Sequence, residues 1–201
     1  MSEYLRRKID VELLNWLKTK NHAPALISGI RQCGKSRSIK EFADRNFKYV
    51  NKINFWETPD AKNAFEGSLV VNDIIKKLSL QFASFVFAPG ETILILDEIQ
   101  DCPRARLALK SFKEDGRFEV IASGSYIGLN LEQKGESVVP MPNGAEDIFH
   151  MKTMDFEEFL RSSLKYYVRN QHCQAYSHIN DRSSRRTSTS AVSSMMFPLR
   201  T

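Results

Sequence analysis

Two short stretches limit what this chain can fold into. Ala25-Leu26-Ile27-Ser28 follows Pro24 and is apolar almost throughout, and Thr92-Ile93-Leu94-Ile95-Leu96 is a continuous β-branched and aliphatic run. A strand that is apolar on both faces must be covered on both, as strands are in a parallel sheet flanked by helices. The segments around them support that arrangement. Residues 3–19 carry Leu5, Ile9, Leu13, Leu14 and Leu17 at helical spacing, which predicts an opening helix. SRSIKEFADRNF places Ile39, Phe42 and Ala43 on one helical face, and Tyr49 to Phe55 alternates as a strand does. Residues 71–87 form a long helical pattern that stops before Pro89-Gly90. A helix over residues 104–115 and a strand over Phe118–Ala122 follow. Alternating strands and helices imply a parallel sheet with helices on both sides.

The 201 residues suffice for one domain with a proper core and a short appendage. No apolar stretch approaches the roughly 18 residues of a membrane span, and the charged N-terminus lacks the apolar core of a secretory signal. Cys33, Cys102 and Cys173 are odd in number and widely spaced. They give neither a disulfide framework nor a tetrahedral metal pattern, so a reducing cytoplasm is expected. The net charge of +5 is unevenly placed: residues 161–201 hold seven Lys/Arg and one acid, and residues 1–160 hold 22 basic and 23 acidic residues. The basic character therefore belongs to the tail. With nine Ser after residue 160 and almost no aliphatic periodicity, residues 161–201 read as a disordered segment that buries too little apolar surface to order itself.

Between the first strand and the next helix lies SGIRQCGKS, which contains G-x-x-x-x-G-K-S at Gly29, Gly34, Lys35 and Ser36. Phosphates need many donors at once. A glycine-rich turn can point successive backbone N–H groups inward, and the helix behind it adds unpaired N–H groups and the positive end of its dipole. Lys35 would reach the β- and γ-phosphates, and the Ser36 hydroxyl would ligate Mg²⁺. Positions Ile30, Arg31, Gln32 and Cys33 contribute mainly backbone, and Arg37 follows inside the helix. Cys33 has no His close in sequence and is not read as a nucleophile.

Some sixty residues on, ILILDE ends a predicted strand in two adjacent acids. Ligands of open α/β sheets lie at the carboxyl ends of strands. Asp97 is expected in the Mg²⁺ shell, and Glu98 as the general base for an attacking water. FEVIASGSYIG ends a third strand in small polar residues. There Ser123, or else Ser125, could contact the γ-phosphate or the water.

RQCGKS, INFWETPD, ILILDEIQDCP and VIASGSYIG, followed by MDFEEFL, resemble in order and spacing the prokaryotic AAA-type ATPases that pair a P-loop domain with a C-terminal domain of unknown function. The resemblance covers residues 4 to 160. It implies a three-layer α/β P-loop NTPase domain, residues 1–160, with a parallel sheet and helices on both faces. It also implies ATP rather than a guanine nucleotide, Mg²⁺ as cofactor, and Glu98, Lys35 and Ser123 as the catalytic set. Asn51-Lys52 is followed by Ile53-Asn54, so it lacks the aspartate of a guanine-reading N-K-x-D and falls in a strand besides. Members of the family continue beyond the FEEFL segment, whereas here a Ser/Arg-rich tail follows, and a truncated or frame-shifted product is expected. The family commonly completes its site with an arginine from a neighbouring subunit. Arg104, Arg106 and Arg117 are the candidates here; a second arginine comes in the family from a helical lid, and without that lid hydrolysis is expected to be slow.

Two other functions remain open. The tail could bind nucleic acid through Arg182, Arg185 and Arg186, with Tyr166 and Tyr167 as stacking partners. The chain could also be an inactive nucleotide-binding remnant. His172, Cys173 and His178 in a Ser-rich segment do not make a metal site. The expected partners are ATP or ADP and a second copy of the chain, and no membrane.

Overall fold

The computed structural model describes residues 4–125 and 144–161. The chain divides into two units, residues 1–155 and 156–201. In the second, residues 156–161 are helical, and the expected tail otherwise lies outside the described residues.

The first unit alternates as the sequence requires. Helix α1 (Lys8–Lys18) leads into strand β1 (Ala25–Gly29), helix α2 (Lys35–Asn46), strand β2 (Tyr49–Asn54) and a 3-10 helix (Pro59–Phe65). Helix α3 (Val71–Gln81), strand β3 (Thr92–Asp97), a short 3-10 turn (Ile99–Asp101), helix α4 (Pro103–Asp115) and strands β4 (Glu119–Ser125) and β5 (Asp147–Met151) follow. The described strands form one sheet of order β2-β3-β4-β1-β5, parallel throughout. Every residue of β1 and β3 is buried, as two-sided apolar runs demand.

The pleat divides the core in two, because successive strand residues face opposite sides. Ile93, Ile95, Ile121 and Ile27 pack with Ile9, Leu13 and Trp16 of α1 and Ile39, Phe42 and Ala43 of α2. Leu94, Leu96, Val120 and Leu26 pack on the other face, with the Pro59–Phe65 turn, α3 and α4. The first unit is a three-layer α/β P-loop NTPase fold.

Three differences from the expected elements have physical causes. Helix α3 ends at Gln81, although the apolar pattern runs to Phe87. Beyond the helix, Phe82 stacks on Phe85, whose edge meets Phe87, and Phe87 packs on Phe118 with ring centroids 5.8 Å apart. That aromatic step carries the chain onto Phe118, and Asn51 secures it: its buried amide donates to the Val86 carbonyl at 2.9 Å. Asn51 therefore serves the fold, within a strand as expected. The second difference is β5, which the sequence conceals because its burial merely alternates at a sheet edge. It is fixed at its start by Asp147, whose amide donates to the Pro24 carbonyl at 2.9 Å while its carboxylate accepts from the Ala23 amide at 3.0 Å. The third is α1, which begins at Lys8 and not at residue 3, with Arg7 as its N-cap.

At the N-terminal ends of the strands, His22 lies against Trp16, with ring centroids 4.3 Å apart, and its Nε2 is 3.6 Å from Glu119 Oε2. Burial pushes the Glu119 carboxyl above the usual carboxylate range, and the nearby His22 only partly opposes it. A carboxyl with a raised folded pKa favours folding where it is protonated, and that advantage is lost as pH rises through the folded value. Glu119→Gln is therefore expected to raise the melting temperature at pH 8 relative to wild type and to leave it unchanged at pH 4. Thermal melts at the two pH values check this, and an equal shift at both would contradict it.

Candidate functional site

The residues singled out by their motifs converge at the carboxyl ends of β1, β3 and β4. Gly29 closes β1, and the loop turns through Gln32 (φ +62°) and Gly34 (φ +99°) into α2. Gly34 meets the left-handed requirement without a side chain, and it is also the N-cap of α2. Gly29 is required for a different reason. A Cβ there would lie 2.3 Å from the Met151 backbone oxygen of β5, so only glycine lets the two strands pair at this point.

Lys35 is the first residue of α2, and it is buried. Its ammonium donates to the carbonyls of Gly29 at 2.9 Å and Ile30 at 3.0 Å, so the lysine folds back over the loop that precedes it. The neighbouring Ser36 reaches the other element. Its hydroxyl donates to Asp97 Oδ2 at 2.9 Å. This meeting follows from the pleat: Ile93, Ile95 and Asp97 share the face that carries α2. The same parity brings in Ser123, which follows Ile121 on β4 and is wholly buried; its hydroxyl donates to Asp97 Oδ1. Ser125 is buried two residues further on, opposite Gly29 in the register.

Glu98 adopts a left-handed conformation (φ +54°) as β3 turns away. Its Oε2 accepts a hydrogen bond from the Gln100 amide at 2.6 Å. Glu98 is half-buried, and this bond is separate from the Ser36–Asp97–Ser123 cluster. Ile30 and Arg31 are exposed at the loop's tip, and Arg37 lies exposed in the first turn of α2. The Cys33 side chain is buried in the core with Met151, its thiol lying 3.6 Å from the Met151 carbonyl, which fits a packing role.

Two residues of the site have no motif to announce them. Arg7 is almost fully buried, and its guanidinium spans the loop: one nitrogen donates to the Cys33 carbonyl at 2.9 Å, another to the Lys152 carbonyl just past β5 at 2.8 Å. Lys52 reaches across from β2 to Asp97 Oδ2 at 3.2 Å. An arginine in the Arg6-Arg7-Lys8 run and a lysine in an alternating strand look like surface residues. The one available signal for Lys52 is its parity with Val50, on the face that carries α2.

The arginines expected to act in trans are all engaged within their own chain. Arg104 donates to the carbonyls of Phe65 and Gly67, Arg106 forms a two-point pair with Glu146, and Arg117 grips Asp115 and Asn72. Arg117 also lies just ahead of β4, at the opposite end of the sheet from the loop.

Comparison with known proteins is consistent with this geometry. Residues 21–160, well over half of the chain, match the AAA domain family. The chain belongs to that family. Within the AAA domain, the matched stretch begins just before β1 and runs through β5 to the FEEFL segment. Among solved structures, the Walker-type ATPase PABY2304 of Pyrococcus abyssi is similar, at 17% identity and a TM-score of 0.48. The alignment covers 84% of this chain and 59% of that one, so the chain spans about three-fifths of its length. No curated protein matches in sequence.

Arg7→Ala leaves one buried and one partly buried carbonyl without a charged donor. Hydrogen bonds to charged groups contribute about 2 kcal/mol each, so the variant is expected to lose about that much stability or more in urea denaturation. A loss below about 0.5 kcal/mol would show that Arg7 does not brace the loop.

Proposed function

We propose that this AAA domain binds ATP with Mg²⁺ and hydrolyses it slowly. The observation that carries the proposal is the Ser36–Asp97–Ser123 cluster at the carboxyl ends of β3 and β4, next to a glycine loop whose carbonyls hold Lys35. Asp97 and Ser36 offer hard oxygen donors 2.9 Å apart, which suits Mg²⁺, an ion that prefers oxygen ligands and keeps most of its shell as water and phosphate. Among the described residues no group of three or more His, Cys, Asp or Glu could hold a metal, and a Mg²⁺ shared with nucleotide does not require one. When bound, the ion draws charge from the phosphoryl oxygens.

The chain's own residues have distinct tasks. The loop backbone and the N-terminus of α2 bind the phosphates. Lys35 exchanges the carbonyls of Gly29 and Ile30 for phosphate oxygens, which is why it is stored beside them. Ser123 holds Asp97 in orientation from below, and Ser125 is the second hydroxyl at the end of β4. Glu98 takes the proton of the attacking water, with the Gln100 amide fixing its carboxylate. Hydrolysis is slow because an arginine that neutralises the transition state contributes about 10³ to 10⁵ in rate, and Arg104, Arg106 and Arg117 are committed elsewhere. Faster turnover calls for an arginine from a second copy or another partner. A cytoplasmic setting agrees with Cys33 and Cys102 being free and buried and with burial pushing the Cys102 thiol up, away from its reactive form. No described helix is long and apolar enough to cross a membrane. The tail residues Arg182, Arg185, Arg186, Tyr166 and Tyr167 lie outside the described residues, and nothing in the site favours nucleic acid.

Calorimetry with ATP and Mg²⁺ is expected to give binding for the wild type and none for Lys35→Ala. Glu98→Gln is expected to retain the affinity and lose about 10²-fold or more in turnover. Equal ATP affinity in wild type and Lys35→Ala would refute the assignment.

A further inference from the structure

Asp97 carries more positive charge around it than its motif foretells. Its side chain is 4% exposed, and its two oxygens are already met by the hydroxyls of Ser36 and Ser123. A third group, the Lys52 ammonium, lies 3.2 Å from Oδ2, the same oxygen that accepts from Ser36. This is not a long lysine straying over the surface. Lys52 pairs in register with Ile95, two residues before Asp97 on the adjacent strand. The pleat turns it to the face of Asp97, and Asn51 beside it is anchored to the Val86 backbone. The strand thus delivers the ammonium to the carboxylate.

We propose that Lys52 is a tethered cation that neutralises Asp97 and competes with the divalent ion for it. The proposal rests on the nucleotide reading of the site. An ion that takes Asp97 Oδ2 and the Ser36 hydroxyl must displace the ammonium from the same oxygen. The four-carbon stem allows this, because Lys52 is 41% exposed and can swing to solvent. Lys52 has a second effect. With no divalent ion, a phosphate approaching the loop would meet the Asp97 carboxylate, and Lys52 cancels that repulsion. The pair therefore supports nucleotide binding without metal and raises the metal concentration needed for the full complex. Lys52 is a positioning residue: it acts on the phosphates and the ion through Asp97.

The test is calorimetry of ATP binding to the full chain, in EDTA and across a Mg²⁺ titration, for wild type, Lys52→Met and Lys52→Arg. A half-exposed ion pair shifts such equilibria by about fivefold. Lys52→Met is expected to bind ATP about fivefold more weakly in EDTA and to reach its Mg²⁺-dependent affinity at about fivefold lower Mg²⁺. Lys52→Arg keeps the charge and is expected to stay near wild type in EDTA. The two shifts are opposite in direction, so general loosening of the fold cannot produce both. If wild type binds ATP and Lys52→Met leaves both values unchanged, or needs more Mg²⁺, the Lys52 proposal fails alone. If wild type binds no ATP under any condition, the nucleotide reading fails and this proposal with it.

Discussion

The Asp97 carboxylate is the junction on which the site depends. It is buried at the end of β3, and it joins three elements that are distant in sequence. Ser36 ties it to the helix after the loop, Ser123 to the neighbouring strand, and Lys52 to the strand on its other side. A buried carboxylate is costly unless it is paired and hydrogen-bonded. Here the charge is met on both oxygens, and each partner is also a group suited to handling phosphate or metal. On the proposed nucleotide reading, these same partners are the ones exchanged when the ion binds.

The loop is braced from the opposite side by different means. Gly29 allows β1 and β5 to approach to a distance that no side chain could accept, and Arg7 joins the Cys33 carbonyl to the chain just after β5. β5 thus does more than widen the sheet. It forms a wall against which the loop rests, and it seats Cys33 and Met151 in the core shared by α1 and α2. Within this frame the Lys35 ammonium rests on the Gly29 and Ile30 carbonyls of its own loop.

Much of this was legible in the sequence because it rests on local rules. Two-sided apolar runs mark β1 and β3, and G-x-x-x-x-G-K-S between strand and helix marks the loop. The acids after ILIL mark the strand end where ligands gather. What was hidden depends on contacts across the chain. Arg6, Arg7 and Lys8 are alike to any local rule, and only the partners of Arg7, 26 and 145 residues away, single it out. Lys52 was visible only as part of a negative argument about guanine reading. β5 is an edge strand of alternating exposure, and past the end of α3 the aromatic residues pack on one another and on Phe118. Ser123 was expected at the phosphate or the water, and its hydroxyl points to Asp97, an orientation set by sheet parity that composition could not reveal.

The most direct test of this account is the Mg²⁺ dependence of ATP affinity in Asp97→Asn, a change that preserves size and removes the charge. If Asp97 is the junction between loop, strand and ion, wild type binds ATP more tightly with Mg²⁺ than in EDTA, and Asp97→Asn binds with one affinity in both. An Asp97→Asn protein that keeps the wild-type gain from Mg²⁺ would contradict the account.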